Sequence, residues 1–137
     1  SRDMTTVFTR IIAGEIPGTF VYRDDQCVAF LSINPLSYGH TLVVPIEEVA
    51  HWVDCSPDLA AQLFAVARRI GRAQQAAFGC ERVGLIIAGY EVPHTHLHVF
   101  PTEHMGQFNF ANAATKVDRT DLDAAAAAII AALAAQA

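Results

Sequence analysis

Apolar side chains at Val7, Phe8, Ile11 and Ile12 recur with a helical period, which predicts a short amphipathic helix. Gly14 and the pair Pro17-Gly18 end it. The pattern then changes. Residues 19–23 and 27–32 read as two strands, and Asp24-Asp25 between them predicts a hairpin. Asn34-Pro35 and Ser37-Tyr38-Gly39 form a polar loop. The run HTLVVP at 40–45 is almost wholly apolar, so it reads as a central strand covered on at least one face. Ser56-Pro57 combines an N-cap with a proline at the first helical position. Leu59, Leu63, Val66 and Ile70 follow at helical spacing and Gly79 fits just past the end, so a helix is predicted over 57–78. Residues 83–88 (VGLIIA) read as another buried strand ended by Gly89. Residues 95–100 alternate strictly and are stopped by Pro101. Residues 104–112 have no clear period, and Thr120-Asp121-Leu122-Asp123 opens a last, alanine-rich helix.

This order is short helix, three strands, long helix, two strands, helix. Strands joined by hairpins imply a mainly antiparallel sheet with helices on one face, an α+β fold. A chain of 137 residues is one domain by length. Residues 4–137 are taken as that domain, with Ser1-Arg2-Asp3 as the remnant of a tag ahead of Met4.

Composition removes several classes of function. With 53% hydrophobic and 17% charged residues and a mean hydropathy of +0.29, the chain can fill a core and is not intrinsically disordered. Fourteen acidic residues against nine basic ones, for a net charge of −5, argue against a nonspecific nucleic-acid binder, which meets phosphates with a basic surface. No apolar run approaches the roughly 20 residues of a membrane span. No secretory signal pattern is expected. Cys27, Cys55 and Cys80 are odd in number and widely spaced, so neither a disulfide framework nor a Cys-based zinc site is expected, and a cytoplasmic setting fits.

The chemistry concentrates in Pro93-His94-Thr95-His96-Leu97-His98-Val99-Phe100. Residues two apart on a strand share a face at about 6.6 Å, so His94, His96 and His98 stand in a row while Thr95, Leu97 and Val99 face a core. Packing alone does not select three ionisable rings, because every buried ring nitrogen needs a partner. Three uses remain open at this point: metal ligation, nucleophilic catalysis at phosphorus, and a hydrogen-bonded cluster without chemical role. A closed zinc site normally needs four ligands, and no acidic or cysteine residue accompanies the row at a typical spacing.

The run His94-x-His96-x-His98-Val99-Phe100 resembles the signature of the histidine triad (HIT) family, with Thr95 as its one weakly apolar departure. Three further blocks resemble the family in order: residues 7–17 (VFTRIIAGEIP), 29–35 (AFLSINP) and 39–45 (GHTLVVP). The match is closest to the Hint-like branch of small nucleoside-phosphoramidate hydrolases. The resemblance implies a five-stranded antiparallel sheet, a homodimer, and purine nucleoside 5′-phosphoramidates as substrates. It implies His96 as nucleophile, His98 and His40 against the phosphate, and His94 as the residue that orients the site. No cofactor is implied. Val7, Phe8, Ile11, Phe30 and Ile33 match the wall around the purine, and Ser32 falls where many members hold the ribose hydroxyls with an acidic or amide residue. Tyr90-Glu91 stands where Gln-Glu or Gln-Ser is usual. This places Tyr90 by the substrate, while Glu91 is expected to face solvent. Some bacterial relatives carry a zinc on a Cys-x-x-Cys and a later His. Those positions here read Thr6, Thr9 and Glu48, so that zinc is expected to be absent. Three other functions stay open beside phosphoramidate hydrolysis: dinucleoside polyphosphate hydrolysis, a nucleotide-binding regulatory scaffold with little turnover, and a metal-binding module built on the histidine row.

Overall fold

Thr6 opens the first helix, α1 (Val7–Ile12): its hydroxyl oxygen accepts the Thr9 N–H at 3.1 Å. The computed structural model describes residues 5–136, so the expected tag remnant and the start at Met4 lie outside the described residues. Strands β1 (Phe20–Arg23) and β2 (Cys27–Leu31) form the expected hairpin. Asp24 Oδ1 holds the turn by accepting the N–H groups of Gln26 and Cys27, each at 2.7 Å. Strand β3 (Thr41–Pro45) follows the polar loop. Helix α2 (Pro57–Phe78) starts at Ser56, whose hydroxyl accepts the Leu59 N–H, and ends at Gly79 in the left-handed conformation with φ 65°. Strands β4 (Arg82–Ile86) and β5 (Leu97–Thr102) and helix α3 (Arg119–Ala134) complete the elements.

The sheet order is β1-β2-β3-β5-β4, with every neighbouring pair antiparallel. Strand β3 is central, as its apolar run predicted. Strands β2 and β3 present alternate residues to two different cores, and β5 adds to the first. Cys27, Ala29, Leu31, Val43, Leu97 and Val99 pack beneath α2 and α3. Val28, Phe30, Leu42 and Val44 face the other way, where Phe8 of α1 covers them. The helices therefore do not all share one face: α1 lies opposite α2 and α3, because Phe8 buries against the second face.

Two strands differ from the sequence expectation. The run 83–88 was expected to be buried, but β4 is the edge strand and Leu85 is 41% exposed. Pro101 was expected to end β5, but it pairs with Val83 inside the ladder. On the β3 side the ladder ends at Thr41 opposite Val99. A proline there removes no hydrogen bond that the sheet would make.

Gln74 fills that gap. Fully buried on α2, it donates its Nε2–H groups to the carbonyls of Gly39 (3.1 Å) and Val99 (2.9 Å), where β3 and β5 part. Gln74→Leu leaves both carbonyls buried without this donor. It also removes the side-chain Oε1, which has no partner of its own. The expected net loss is about 1–2 kcal/mol, the cost of unpaired buried acceptors less the relief of one. Urea unfolding of the two proteins measures it.

Candidate functional site

The neighbourhood of β3 and β5 sets out the site. Leu42 lies opposite His98 in the register. His40, just before β3, reaches across to His98, with Nε2 of one ring 3.0 Å from Nδ1 of the other. Upstream of Leu97 the chain leaves the ladder. The expected strand start at Thr95 is not met: Val43 pairs with Leu97, and Pro45, two residues further on, has no N–H to give. Thr95 instead turns its N–H and its hydroxyl to the Val49 carbonyl, at 2.7 and 2.6 Å. His94 and His96 therefore stand on irregular backbone. The rings of His96 and His98 are still neighbours, with centroids 4.9 Å apart, while Phe8 packs edge-on against both His94 and His96.

Hydrogen bonds fix which nitrogen of each neutral ring carries its proton. The Leu36 N–H donates to His40 Nδ1 at 2.9 Å, so the His40 proton is on Nε2 and is donated to His98 Nδ1. His98 then carries its proton on Nε2. His96 Nδ1–H donates to the His94 carbonyl at 2.7 Å, which leaves the lone pair of Nε2 unengaged. His94 donates from Nε2 to the Pro45 carbonyl at 2.7 Å, and its Nδ1 accepts the Thr6 hydroxyl proton at 2.7 Å. Burial is the first cause holding all four rings neutral. It pushes His40 down to about 3 and His98 to about 4, with the neighbouring imidazoles adding to the effect. His94 and His96 are lowered for the same main reason.

These rings border a cavity of about 610 Å³, a size that holds a nucleotide-scale ligand. His40, His96 and His98 line it, as do Val7, Phe8, Ile11, Phe30, Ser32 and Ile33. His94 does not. It is fully buried behind Phe8, in keeping with an orienting part. Tyr90 is outside the lining and 95% exposed, so it does not reach the position expected of it. The chain turns at Gly89 (φ 80°), and Glu91 rather than Tyr90 borders the cavity, where its charge acts on His96. Glu91 is exposed, as expected, and it also borders the cavity. Ser32 Oγ accepts the Asn34 N–H at 3.1 Å, which leaves its own proton to donate. His51 and His104 are exposed and outside the lining.

Another part of the wall comes from the segment between β5 and α3, where the sequence shows no period. Phe110 sits on His98 with centroids 4.8 Å apart, and residues 111 and 113–115 continue the lining. Asn34 anchors this segment through the carbonyls of Ala114 and Thr115 at 3.2 and 3.3 Å, and the Ala114 N–H donates to Pro35 at 2.9 Å. Two phenylalanines, Phe108 and Phe110, among Gly, Asn and Gln are the available signal. Arg119 is the other charged residue of the lining besides Glu91, and it is held by Asp123 and Thr19 at 2.7 and 2.5 Å.

Thr6, Thr9 and Glu48, where some relatives carry zinc ligands, are joined to one another. Glu48 Oε1 accepts the Thr6 N–H at 2.8 Å and the Thr9 hydroxyl at 2.5 Å. Two hydroxyls are poor replacements for thiolate or imidazole ligands, and the His94 Nδ1 lone pair is already taken. This donor set does not fit a structural zinc. Among the described residues no group of three or more His, Cys, Asp or Glu is placed to hold a metal ion.

Residues 13–105 match the model of the HIT domain, and this chain belongs to that family of nucleotide-binding proteins and hydrolases. Protein hit of Bacillus subtilis is 37% identical over 102 residues, 69% of each chain. A hypothetical histidine triad nucleotide-binding protein from Sulfolobus tokodaii superposes with a TM-score of 0.82 at 25% identity, over 93% of this chain and 91% of the other. The Arabidopsis thaliana adenylylsulfatase HINT3 is 34% identical over 69% of this chain and 51% of its own length.

Proposed function

We propose that this chain hydrolyses purine nucleoside 5′-phosphoramidates through a covalent nucleotidyl intermediate on His96. The observation that carries the reading is the hydrogen-bond pattern from which the proton positions follow. His96 presents an Nε2 lone pair to the cavity, and His98 beside it presents an Nε2–H. In the first step His96 Nε2 attacks the α-phosphorus and forms a P–N bond. The P–N bond to the amine breaks with its electron pair on the leaving nitrogen, which takes a proton along the His98 Nε2–H direction. Water then attacks phosphorus, the bond to His96 breaks, and a proton of that water restores His98. His94 orients His96 by its carbonyl, and His40 orients His98. Val7, Phe8, Ile11, Phe30 and Ile33 take the base, and Ser32 takes a ribose hydroxyl.

The charges at the cavity favour an amine as leaving group. Glu91 is the carboxylate nearest in effect to His96, and the guanidinium in the lining is already paired with Asp123. A polyphosphate or sulfate leaving group would meet repulsion and, among the described residues of the lining, no unpaired guanidinium or ammonium group. Mass spectrometry of products from adenosine 5′-monophosphoramidate, adenylyl sulfate and diadenosine tetraphosphate tests this. Faster AMP release from the phosphoramidate supports the reading. A higher kcat/KM on the tetraphosphate would make the chain a dinucleoside polyphosphate hydrolase, one on adenylyl sulfate would give it the activity named for HINT3, and nucleotide binding without any product would favour the regulatory scaffold.

A homodimer is also proposed. The outer edge of β4 has no strand partner among the described residues, and beside it Phe64 (61% exposed) and Leu85 border an apolar groove. An exposed apolar edge is a pairing surface. Phe64→Glu is expected to convert a dimer into a monomer in sedimentation velocity. A wild-type protein that sediments as a monomer would refute the dimer. Three free thiols suit a reducing, cytoplasmic setting.

A further inference from the structure

We infer that Thr6 is a positioning residue for His96, acting through His94. The inference goes beyond the proposed reaction, and only its kinetic readout rests on His96 being the nucleophile. Thr6 is the N-cap of α1 and lies 9% exposed beneath it. Its hydroxyl has one proton and gives it to His94 Nδ1 at 2.7 Å. Its lone pairs face the Thr9 N–H at 3.1 Å, and that contact fixes the direction of the hydroxyl. Glu48 holds the cap from the far side through the Thr6 N–H and the Thr9 hydroxyl.

The consequence for His94 is a ring clamped at both nitrogens. Pro45 accepts from Nε2 and Thr6 donates to Nδ1. Among the described residues nothing else holds Nδ1, and the ring is fully buried, so without Thr6 it can rotate or exchange tautomers. The same residue's carbonyl accepts the His96 Nδ1–H at 2.7 Å. That bond keeps the His96 Nε2 lone pair on the cavity side. A chain of hydrogen bonds therefore runs from Glu48 through Thr9 and Thr6 to His94 and His96. Hydroxyls and a carboxylate do the tethering. Phe8, the second residue of α1, packs on both rings and carries the helix's position to them.

The test uses Thr6→Val, which keeps the shape and removes the proton, and Thr6→Ser, which restores it. In wild-type protein, nitrogen NMR of the histidines is expected to find His94 protonated on Nε2 and His96 on Nδ1. Thr6→Val is expected to lower kcat on adenosine 5′-monophosphoramidate between about tenfold and about a hundredfold, as small displacements of a reacting group do. KM should stay within about twofold, His96 should show mixed tautomers, and Thr6→Ser should recover both signals. A folded Thr6→Val protein with wild-type kcat and an unchanged His96 spectrum would overturn the inference. If wild type does not turn over the phosphoramidate, the proposed reaction fails, while mixed or unmixed His96 tautomers in Thr6→Val still decide the positioning role. If Thr6→Val does not fold, the wild-type spectrum decides alone. A His94 protonated on Nδ1 overturns the inference, and an Nδ1 in the acceptor state supports it.

Discussion

His96→Asn is expected to lower kcat on adenosine 5′-monophosphoramidate by at least about a thousandfold while the protein stays folded. Losing a nucleophile removes the covalent route altogether, and what remains is binding and whatever His98 and His40 give to direct attack by water. Asparagine is chosen because its amide can still donate to the His94 carbonyl, which His96 Nδ1 meets at 2.7 Å. The packing of Phe8 against position 96 is then the main structural loss. Steady-state kinetics beside thermal unfolding separates the two effects. A variant within tenfold of wild type would move the nucleophile elsewhere in the molecule.

The second large effect concerns acid. Four histidines are held neutral by burial, two of them with folded values near 3 and 4. In the unfolded chain each titrates near 6.5. Between that value and the folded one the unfolded state binds more protons, so stability falls as pH falls. For His40 and His98 the slope approaches about 1.4 kcal/mol per pH unit each once pH is well below 6.5. The two rings alone remove roughly 5 kcal/mol between pH 6 and 4, and His94 and His96 act in the same direction. A small domain has about 5–15 kcal/mol in all, so marginal stability is expected near pH 4. Urea midpoints at pH 7, 6 and 5 should fall with a steepening slope. Midpoints unchanged down to pH 5 would mean that the rings are charged in the folded state. Turnover should follow a separate rule. His96 needs its lone pair, and its lowered pKa puts the acid limb of kcat/KM below 6.5.

The helix over 57–78 was legible to the residue, because Ser56, Pro57 and Gly79 mark both ends and the apolar period between them is unbroken. The histidine row was legible for a different reason: no packing argument accounts for three ionisable rings in alternation. Four features were not legible. Val83 to Ile86 reads as buried because an apolar edge strand and an apolar central strand have the same composition. Sequence does not say which strand a neighbour will leave uncovered. The start of β5 was placed two residues early because the missing N–H of Pro45, on another strand, decides it. The cavity wall at Phe110 has no period at all. Its position depends on Asn34 holding the carbonyls of Ala114 and Thr115, a contact between residues about 80 apart. Tyr90 stays outside the cavity while the exposed Glu91 borders it, just after the turn at Gly89.

The central claim is a covalent bond to one nitrogen of one residue. Rapid acid-free quenching of wild-type protein with adenosine 5′-monophosphoramidate, followed by peptide mass spectrometry, addresses it directly. The account predicts a nucleotidyl adduct that forms within a turnover, sits on the peptide containing His96, and is absent from His96→Asn. Full turnover to AMP with no adduct at any quench time, or with the adduct on His98 or His40, would contradict it.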